Sequence, residues 1–210
     1  MQFAVAAAAS RVSSRPGLAK RHAFDKYTTR IIAMDIAHFA RLAAYNRWMN
    51  DKVFDAAQAL GEDAAHEAMG AFFGSILGTL NHLAVADTVW LQRLARHPAA
   101  FASLAPVRSL PTPSALNQML FDSLATLRPY RQLLDETLIG FCEELKGEQL
   151  DAPFDYQSMK GQPYRKRLSD VLLHVFNHQT HHRGQVTTLL MQRGVDPGAT
   201  DLILMVPEWG

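Results

Sequence analysis

The chain has 210 residues, of which 48% are hydrophobic and 20% charged, and this is the composition of an ordinary globular domain. A formal net charge of +1 gives no reason to expect a nucleic-acid partner, and no apolar run approaches the length of a membrane span. The single cysteine, Cys142, excludes an intrachain disulfide, which favours a reducing, cytoplasmic compartment. We expect Cys142 to be an inert, partly buried thiol.

Charge is unevenly distributed along the chain. Residues 1–33 carry six lysines and arginines against one acidic residue, Asp25, which leaves 15 basic and 19 acidic residues for the remainder. The segment is a poor secretory signal because no basic residue precedes its short alanine-rich stretch. We expect residues 1–33 to be a basic, disordered extension, or the product of a wrongly chosen start codon, and residues 34–210 to form the folded domain.

Helical periodicity dominates the sequence, and alternating strand patterns are nearly absent. Four amphipathic helices are predicted, over residues of about 35–60, 75–96, 114–145 and 168–193. Pro129 should kink or interrupt the third helix, and the proline-rich connection over 98–113 is long enough for the second and third helices to run parallel. Two aromatic segments around Gly161 predict a small hairpin before the last helix. The predicted fold is therefore an all-α four-helix bundle.

The last predicted helix carries the most informative segment of the chain. Its inward stripe is apolar at both ends but polar in the middle, where His178 and His182 lie four residues apart. Residues at this spacing lie one turn apart on the same helix face. Two neutral imidazoles so placed can chelate a metal ion, which removes the cost of burying polar rings without partners. The spacing therefore predicts one half of a metal site.

A third ligand should come from another helix, because two histidines rarely complete a transition-metal site. His82 is the best candidate: it is predicted to lie mid-helix, and Gly78 and Ala86 leave space one turn to either side. A single mid-helix histidine is more often a satisfied core residue, but the histidine pair favours a ligand role. His174 is the main rival; three ligands along one straight helix cannot converge, since successive turns lie about 5.4 Å apart. We expect His174 outside the ligand set, either as an outer residue or as a hydrogen-bonded core residue, and His181 on another face.

Further polar residues fall at positions that should be apolar. A buried Asp87 needs a cation, which Arg183 could supply, either as a structural ion pair between two helices or in a catalytic role. Asn46 and Gln185 either orient the metal ligands or form hydrogen bonds between helices. Gly184 lies inside a predicted helix, where glycine costs about 1 kcal/mol relative to alanine. We expect close helix contact or access to the site to require it.

Three sequence motifs together resemble the DinB family of bacterial helical-bundle proteins. They are Asn177-His178-Gln-Thr-His181-His182-Arg183-Gly184-Gln185, Asn81-His82-x4-Asp87-x2-Trp90 and Tyr45-Asn46-x-Trp48-x-Asn50. The resemblance covers roughly Asp35 to the C-terminus. It implies an up-down-down-up bundle, often dimeric, with a metal triad that corresponds here to His82, His178 and His182. Nothing in the chain resembles the translesion polymerase that shares the family's name.

The expected function follows from the histidine triad and from the resemblance. Three neutral histidines leave coordination positions open, as in catalytic sites, and they suit zinc, nickel or iron. The leading hypothesis is a metalloenzyme that activates water or a small thiol. The resemblance implies a metal-dependent hydrolase or a thiol-dependent transferase, with a low-molecular-weight thiol as cofactor or co-substrate, and a homodimeric state. We expect an unknown small-molecule substrate and, from the charge and the apolar runs, no nucleic-acid or membrane partner. The alternatives are a metal-binding stress-response bundle without turnover, and a structural dimer whose histidines are core polar groups.

Overall fold

The computed structural model describes residues 36–209, so the expectation for residues 1–33 lies outside the described part of the chain. In chain order, the helices and strands are α1 Ile36–Leu60, α2 Glu62–His66, α3 Ile76–Leu94, α4 Ala105–Arg108, α5 Leu124–Glu144, α6 Gly147–Leu150, β1 Pro153–Gln157, β2 Pro163–Arg167 and α7 Leu168–Gln192. Short 3-10 turns cover Ala102–Leu104 and Leu202–Met205. The predicted all-α fold class is confirmed.

The long helices α1, α3, α5 and α7 form the bundle. α1 packs against α5 and α7, and α3 packs against the same two helices. α1 and α7 run parallel: Phe39 stacks on Phe176, with ring centroids 6.3 Å apart, and Asn46 bonds Arg183 seven residues further along each helix. This pairing brings the polar middle of α7 against the polar middle of α1.

α3 and α5 also run parallel to each other. The Asn81 side chain bonds the backbone of Phe121 just before α5 begins, and the Thr88 and Tyr130 hydroxyls lie 2.8 Å apart further along both helices. Ser75 caps the start of α3, because its hydroxyl accepts a hydrogen bond from the N–H of Gly78 in the first turn. The long connection between α3 and α5 therefore returns the chain to the starting end of α3.

α1 and α5 run in opposite directions, since Glu62, just after α1, lies at the start of α5. The Glu62 carboxylate accepts hydrogen bonds from the N–H groups of Leu124 (2.9 Å) and Ala125 (3.1 Å), where the helix dipole favours negative charge. Ser123 caps the same end by accepting from the N–H of Thr126 at 3.2 Å. The topology is thus up-down-down-up, as the resemblance implied.

The third long helix begins ten residues later than predicted. Residues 114–123 form a non-helical loop, and Leu116, which lies within the predicted helix, is 52% exposed. The reason lies on α3, where Asn81 Oδ1 accepts hydrogen bonds from the N–H groups of Leu120 (2.8 Å) and Phe121 (3.0 Å). Those N–H groups are therefore unavailable to a helix. Of the two effects expected for Pro129, a kink or an interruption, the interruption is wrong, because α5 continues through this residue.

The predicted hairpin is present between α6 and α7. Strands β1 and β2 pair antiparallel, with Tyr156 opposite Tyr164 and their rings stacked 5.5 Å apart. On the other side, the Tyr156 ring contacts Trp90 of α3 at 5.1 Å. The hairpin is thereby fixed against the bundle beside the C-terminal part of α3.

The bundle core encloses the cysteine completely. Cys142 is 0% exposed, more deeply buried than expected, and this burial raises the pKa of its thiol to about 12. The thiolate is therefore scarce near neutral pH, as expected for an inert thiol. In the part of the chain that the structure describes, no helix is both long and apolar enough to cross a membrane.

Candidate metal centre

Three histidine side chains converge between α3 and α7. The Nε2 atom of His82 lies 3.1 Å from that of His178 and 3.2 Å from that of His182. One ligand nitrogen from each of the three rings lies within 4.8 Å of the others. A tetrahedral zinc ion with bonds of about 2.05 Å places its ligand nitrogens about 3.3 Å apart. The cluster could therefore hold a metal ion.

The other ring nitrogens of two of these histidines contact fixed oxygen atoms. His82 Nδ1 lies 2.8 Å from the carbonyl oxygen of Leu116, which can only accept a hydrogen bond. His182 Nδ1 lies 2.8 Å from Gln185 Oε1. Both contacts place the ring hydrogen on Nδ1, which leaves a bare lone pair on Nε2. Metal-binding histidines generally have such partners, which fix the tautomer and the ring orientation.

The close approach of the His82 and His182 ring nitrogens is compatible with a metal ion between them. In the neutral state, the Nε2 lone pairs of His82 and His182 face each other at 3.2 Å, and this is repulsive unless a cation or a shared proton lies between them. Burial lowers the pKa of both histidines, and it lowers that of His178 to about 3, with the other two histidines adding to the effect. All three rings are therefore neutral near pH 7, which is the form that binds metals.

Phe73, in the loop before α3, covers one face of His82, a role for which no sequence pattern provides a signal. Its ring stacks on His82 with centroids 3.7 Å apart and an angle of 14°. Gly78 makes the stacking possible, since a Cβ there would lie 2.1 Å from the Phe73 carbonyl oxygen. The space that Gly78 leaves one turn before His82 is thus occupied by the backbone of this loop.

Asn81 organises the opposite side of the cluster. Its side chain makes the hydrogen bonds to Leu120 and Phe121 described above, and these hold the 114–123 loop against α3. The loop carries Leu116, whose carbonyl oxygen orients His82. Asn81 therefore acts on the neighbouring histidine through the loop. Its position beside His82 in the motif was the only available signal, because no periodicity predicts a contact 40 residues away.

The remaining histidines of α7 lie outside the cluster. His174 is exposed, and its ring contacts Trp90 at 5.2 Å and His178 at 5.9 Å. We expected His174 to be either an outer residue or a hydrogen-bonded core residue. Its exposure agrees with the first role and not with the second. His181 is also exposed, on a neighbouring face of the helix, where its Nε2 lies 3.4 Å from Gln185 Nε2.

The predicted pairing of Asp87 with Arg183 is wrong. Asp87 pairs instead with Arg131 of α5, whose Nη2 atom lies 2.8 Å from Asp87 Oδ2 and 3.1 Å from Asp135 Oδ1. All three side chains are 2% exposed. Arg131 occupies the same helical stripe as Leu127 and Leu134, so a charged residue in an apolar register was the signal that would have found it.

The bundle contains a buried polar layer, which comprises Asp87, Arg131 and Asp135 together with Arg183, Asn46, Asn50 and Gln179. Arg183 is 3% exposed and donates hydrogen bonds to the side-chain oxygens of Asn46, Asn50 and Gln179. Asn46 also donates to Asp135 at 3.0 Å. Of the two roles considered for Asn46, the structure therefore shows the hydrogen bonds between helices. Gln185, in contrast, contacts a ring of the histidine cluster directly.

Gly184 is not needed for close helix packing. A Cβ at this position would meet no atom within 4 Å, and the residue is exposed. It lines a surface groove between α7 and the loop before α3, together with Gln185, His181 and Phe72. Of the two expectations for Gly184, only a role in access to the site agrees with this position.

Comparisons with known proteins agree with the resemblance seen in the motifs. The sequence profile of the DinB family matches residues 34–208. The chain is also similar to a protein of Bacillus subtilis (strain 168) named Protein DinB, with 29% identity over 161 residues, which cover 77% of this chain and 89% of that protein. None of the solved structures gives a significant match. The chain therefore belongs to the DinB family.

Proposed function

We propose that His82, His178 and His182 bind a divalent metal ion and that the protein is a metal-dependent enzyme. The observation that carries this proposal is the convergence of three neutral imidazoles on one point, two of them with Nδ1 already engaged by an oxygen atom. An all-nitrogen donor set suits zinc, nickel or iron, whereas magnesium and calcium prefer oxygen ligands.

The donor set also supports catalysis over a purely structural role. Three protein ligands leave coordination positions open, whereas structural zinc sites usually have four protein ligands. When bound, the ion would polarise a substrate or lower the pKa of a water or thiol. Leu116 and Gln185 would hold two ligand rings in place, and Phe73 would keep water from one face of His82. The proposed reactions are hydrolysis and transfer to or from a low-molecular-weight thiol.

Metal analysis of protein purified without a His-tag tests the binding step. We expect about one metal ion per chain in the wild type and a loss of metal in His178→Ala. His174→Ala is the matched control, because His174 lies one turn earlier on the same helix but outside the cluster. It should retain full metal. Full metal in His178→Ala would reject the site.

Turnover is tested separately on the metal-loaded protein. It is assayed against a panel of esters, amides and phosphate esters, and for binding and transfer of small thiols. Activity that disappears in His178→Ala, but persists in His174→Ala, would support the enzyme. Stoichiometric metal without turnover or thiol binding would favour the alternative, a metal-binding protein without catalysis.

We also propose that the protein is a cytoplasmic homodimer. The lone buried cysteine is compatible with a reducing compartment. Large apolar side chains near the C-terminus support self-association, since Ile203, Leu204 and Trp209 are 70%, 61% and 101% exposed. Light scattering should give twice the chain mass of 23.4 kDa. A monomer at all concentrations would reject the dimer.

A further inference from the structure

A cleft separate from the histidine cluster lies between α3, the loop around residue 113 and strand β1. Its walls include Val89 and Arg93 of α3, Pro113, and Tyr156 and Met159 of the hairpin region. The lining thus combines apolar side chains with polar ones, among them the half-buried guanidinium group of Arg93. Such a combination is typical of pockets for small organic molecules with a charged end.

Arg93 is held in one orientation without using its hydrogen-bond donors. Its guanidinium carbon lies 4.5 Å from the ring centroid of Trp90 and 5.3 Å from that of Tyr156. Stacking on aromatic rings engages the flat faces of a guanidinium group and leaves its in-plane N–H groups free. Among the described residues, no carboxylate pairs with Arg93, and no oxygen accepts a hydrogen bond from its side chain.

The charge of the cleft is also uncompensated. Arg96 lines the same cleft one turn beyond Arg93, and their mutual repulsion adds to burial in lowering the pKa of Arg93. The one carboxylate in the lining, Asp155, is already bound by Arg165, with both contacts at 2.7 Å. Among the described residues, two cations therefore line a cleft in which the carboxylate of Asp155 is already paired with Arg165.

From this geometry we infer that the cleft binds the carboxylate group of a small organic molecule, with Arg93 as the bidentate donor and Arg96 as a second positive charge. A planar carboxylate accepts two parallel hydrogen bonds from a guanidinium fork. The apolar wall formed by Val89, Pro113 and Met159 accommodates the carbon skeleton of the ligand. An inorganic anion would leave this apolar wall without a partner.

The cleft and the histidine cluster are arranged along one face of α3. Arg93 follows His82 by eleven residues, which is close to three helical turns and about 16 Å along the axis. Trp90 and His174 connect them, since the Trp90 ring contacts Tyr156 on one side and His174 on the other, and His174 contacts His178. This step rests on the proposed function. The carboxylate is then a recognition group of the substrate or thiol that lies remote from the metal, and it is not the reacting group.

Benzoate is the probe for this site, with benzamide as its uncharged counterpart. Binding is measured by ligand-observed NMR on the full chain after metal removal with a chelator, so that coordination to metal cannot contribute. We expect benzoate to bind the wild type, and benzamide and inorganic phosphate to bind more weakly. Arg93→Gln should weaken benzoate binding by about tenfold, because charged hydrogen bonds are lost. Arg47→Gln is the control: Arg47 of α1 forms an exposed ion pair with Glu136 of α5, and this variant should bind benzoate as the wild type does.

The inference is overturned if benzoate does not bind, if benzamide or phosphate binds at least as tightly, or if Arg93→Gln binds benzoate normally. Thermal unfolding shows whether the variant is folded. If it is not, Arg93→Lys carries the test: lysine keeps the charge but lacks the planar fork, so unchanged binding there would also overturn the inference. Metal content measured on the same preparations before chelation separates the two proposals. Arg93-dependent binding in a protein that never held metal would retain the cleft and reject the metalloenzyme.

Discussion

The Nε2 atoms of His82 and His182 lie 3.2 Å apart, and the opposite nitrogen of each ring is engaged by an oxygen atom 2.8 Å away. These oxygens belong to Leu116 and Gln185, which lie on different elements of the fold. Two lone pairs are thereby directed at each other inside the bundle. These lone pairs repel each other unless a cation or a shared proton lies between them, which supports the proposed metal site beyond the presence of suitable ligand types.

Gln185→Ala should weaken metal binding without unfolding the protein. The change removes the acceptor of His182 Nδ1, so the ring can rotate and adopt either tautomer. Loss of such a partner costs about 10–100-fold in metal affinity. The measurement is competition with a chromophoric chelator. Thr188→Ala is the control, since Thr188 lines the same groove one turn further along and its hydroxyl donates to the Gly184 carbonyl. Equal affinities for both variants would contradict the role of Gln185.

Gly78→Ala and Gly184→Ala should change stability in opposite directions. An alanine at 78 would bring its Cβ to 2.1 Å from the Phe73 carbonyl oxygen, which must move together with the ring that covers His82. We expect destabilisation by more than about 1 kcal/mol and weaker metal binding.

Gly184 provides the matched comparison within another helix. A Cβ added at Gly184 would meet no atom within 4 Å, so alanine should stabilise α7 by up to about 1 kcal/mol through its higher helix propensity. Urea unfolding of both variants gives the two free energies. A stabilised Gly78→Ala variant would show that the position of Phe73 does not depend on the absence of a side chain at residue 78.

Arg131→Met should be strongly destabilising. Arg131 contacts both Asp87 and Asp135, and all three side chains are 98% buried. Its removal leaves two carboxylates in the core without their cation, which costs about 3–5 kcal/mol.

An exposed arginine serves as the control for this experiment. Arg47→Met, which breaks a solvent-exposed pair with Glu136 at 3.6 Å, should change the free energy of unfolding by less than about 1 kcal/mol. Chemical denaturation measures both variants. If Arg131→Met changes the free energy of unfolding as little as Arg47→Met does, the buried polar layer tolerates the loss of its cation.

Cys142 should not react with iodoacetamide in the native protein at pH 8. Burial raises the pKa of the thiol to about 12, so almost no thiolate forms, and the side chain is 0% exposed. In denaturant the thiol should have an ordinary pKa of about 8.5 and react fully. Mass spectrometry before and after unfolding checks this. Rapid modification of the folded protein would contradict the packing of α5.

Local patterns predicted much of this architecture. The periodicities of α1, α3 and α7, the Ser75 cap and the i, i+4 histidine pair are properties of neighbouring residues, so the sequence alone could predict them. The error at the start of α5 has a physical cause. Leu116 and Leu120 continue the helical spacing of the following leucines, but hydrogen bonds from Asn81, about 40 residues away, keep their segment in a loop.

The pairing of buried charges depends on similarly distant contacts. Asp87 could have met an arginine from α5 or from α7, and both arginines lie buried in the same polar layer. Only the packing of the helices assigns Arg131 to Asp87 and Arg183 to the asparagines of α1. Phe73 likewise has no periodic signal, because its role depends on a loop that passes over Gly78.

X-ray absorption spectroscopy of the zinc-reconstituted protein shows whether the three histidines bind a metal ion together. We expect about one zinc ion per chain, with three histidine nitrogens at about 2.0–2.1 Å and the remaining shell from lighter exogenous ligands. The His178→Ala protein should lose this signal. A wild-type spectrum without an imidazole shell, or one that persists unchanged in His178→Ala, would contradict metal binding by the three histidines.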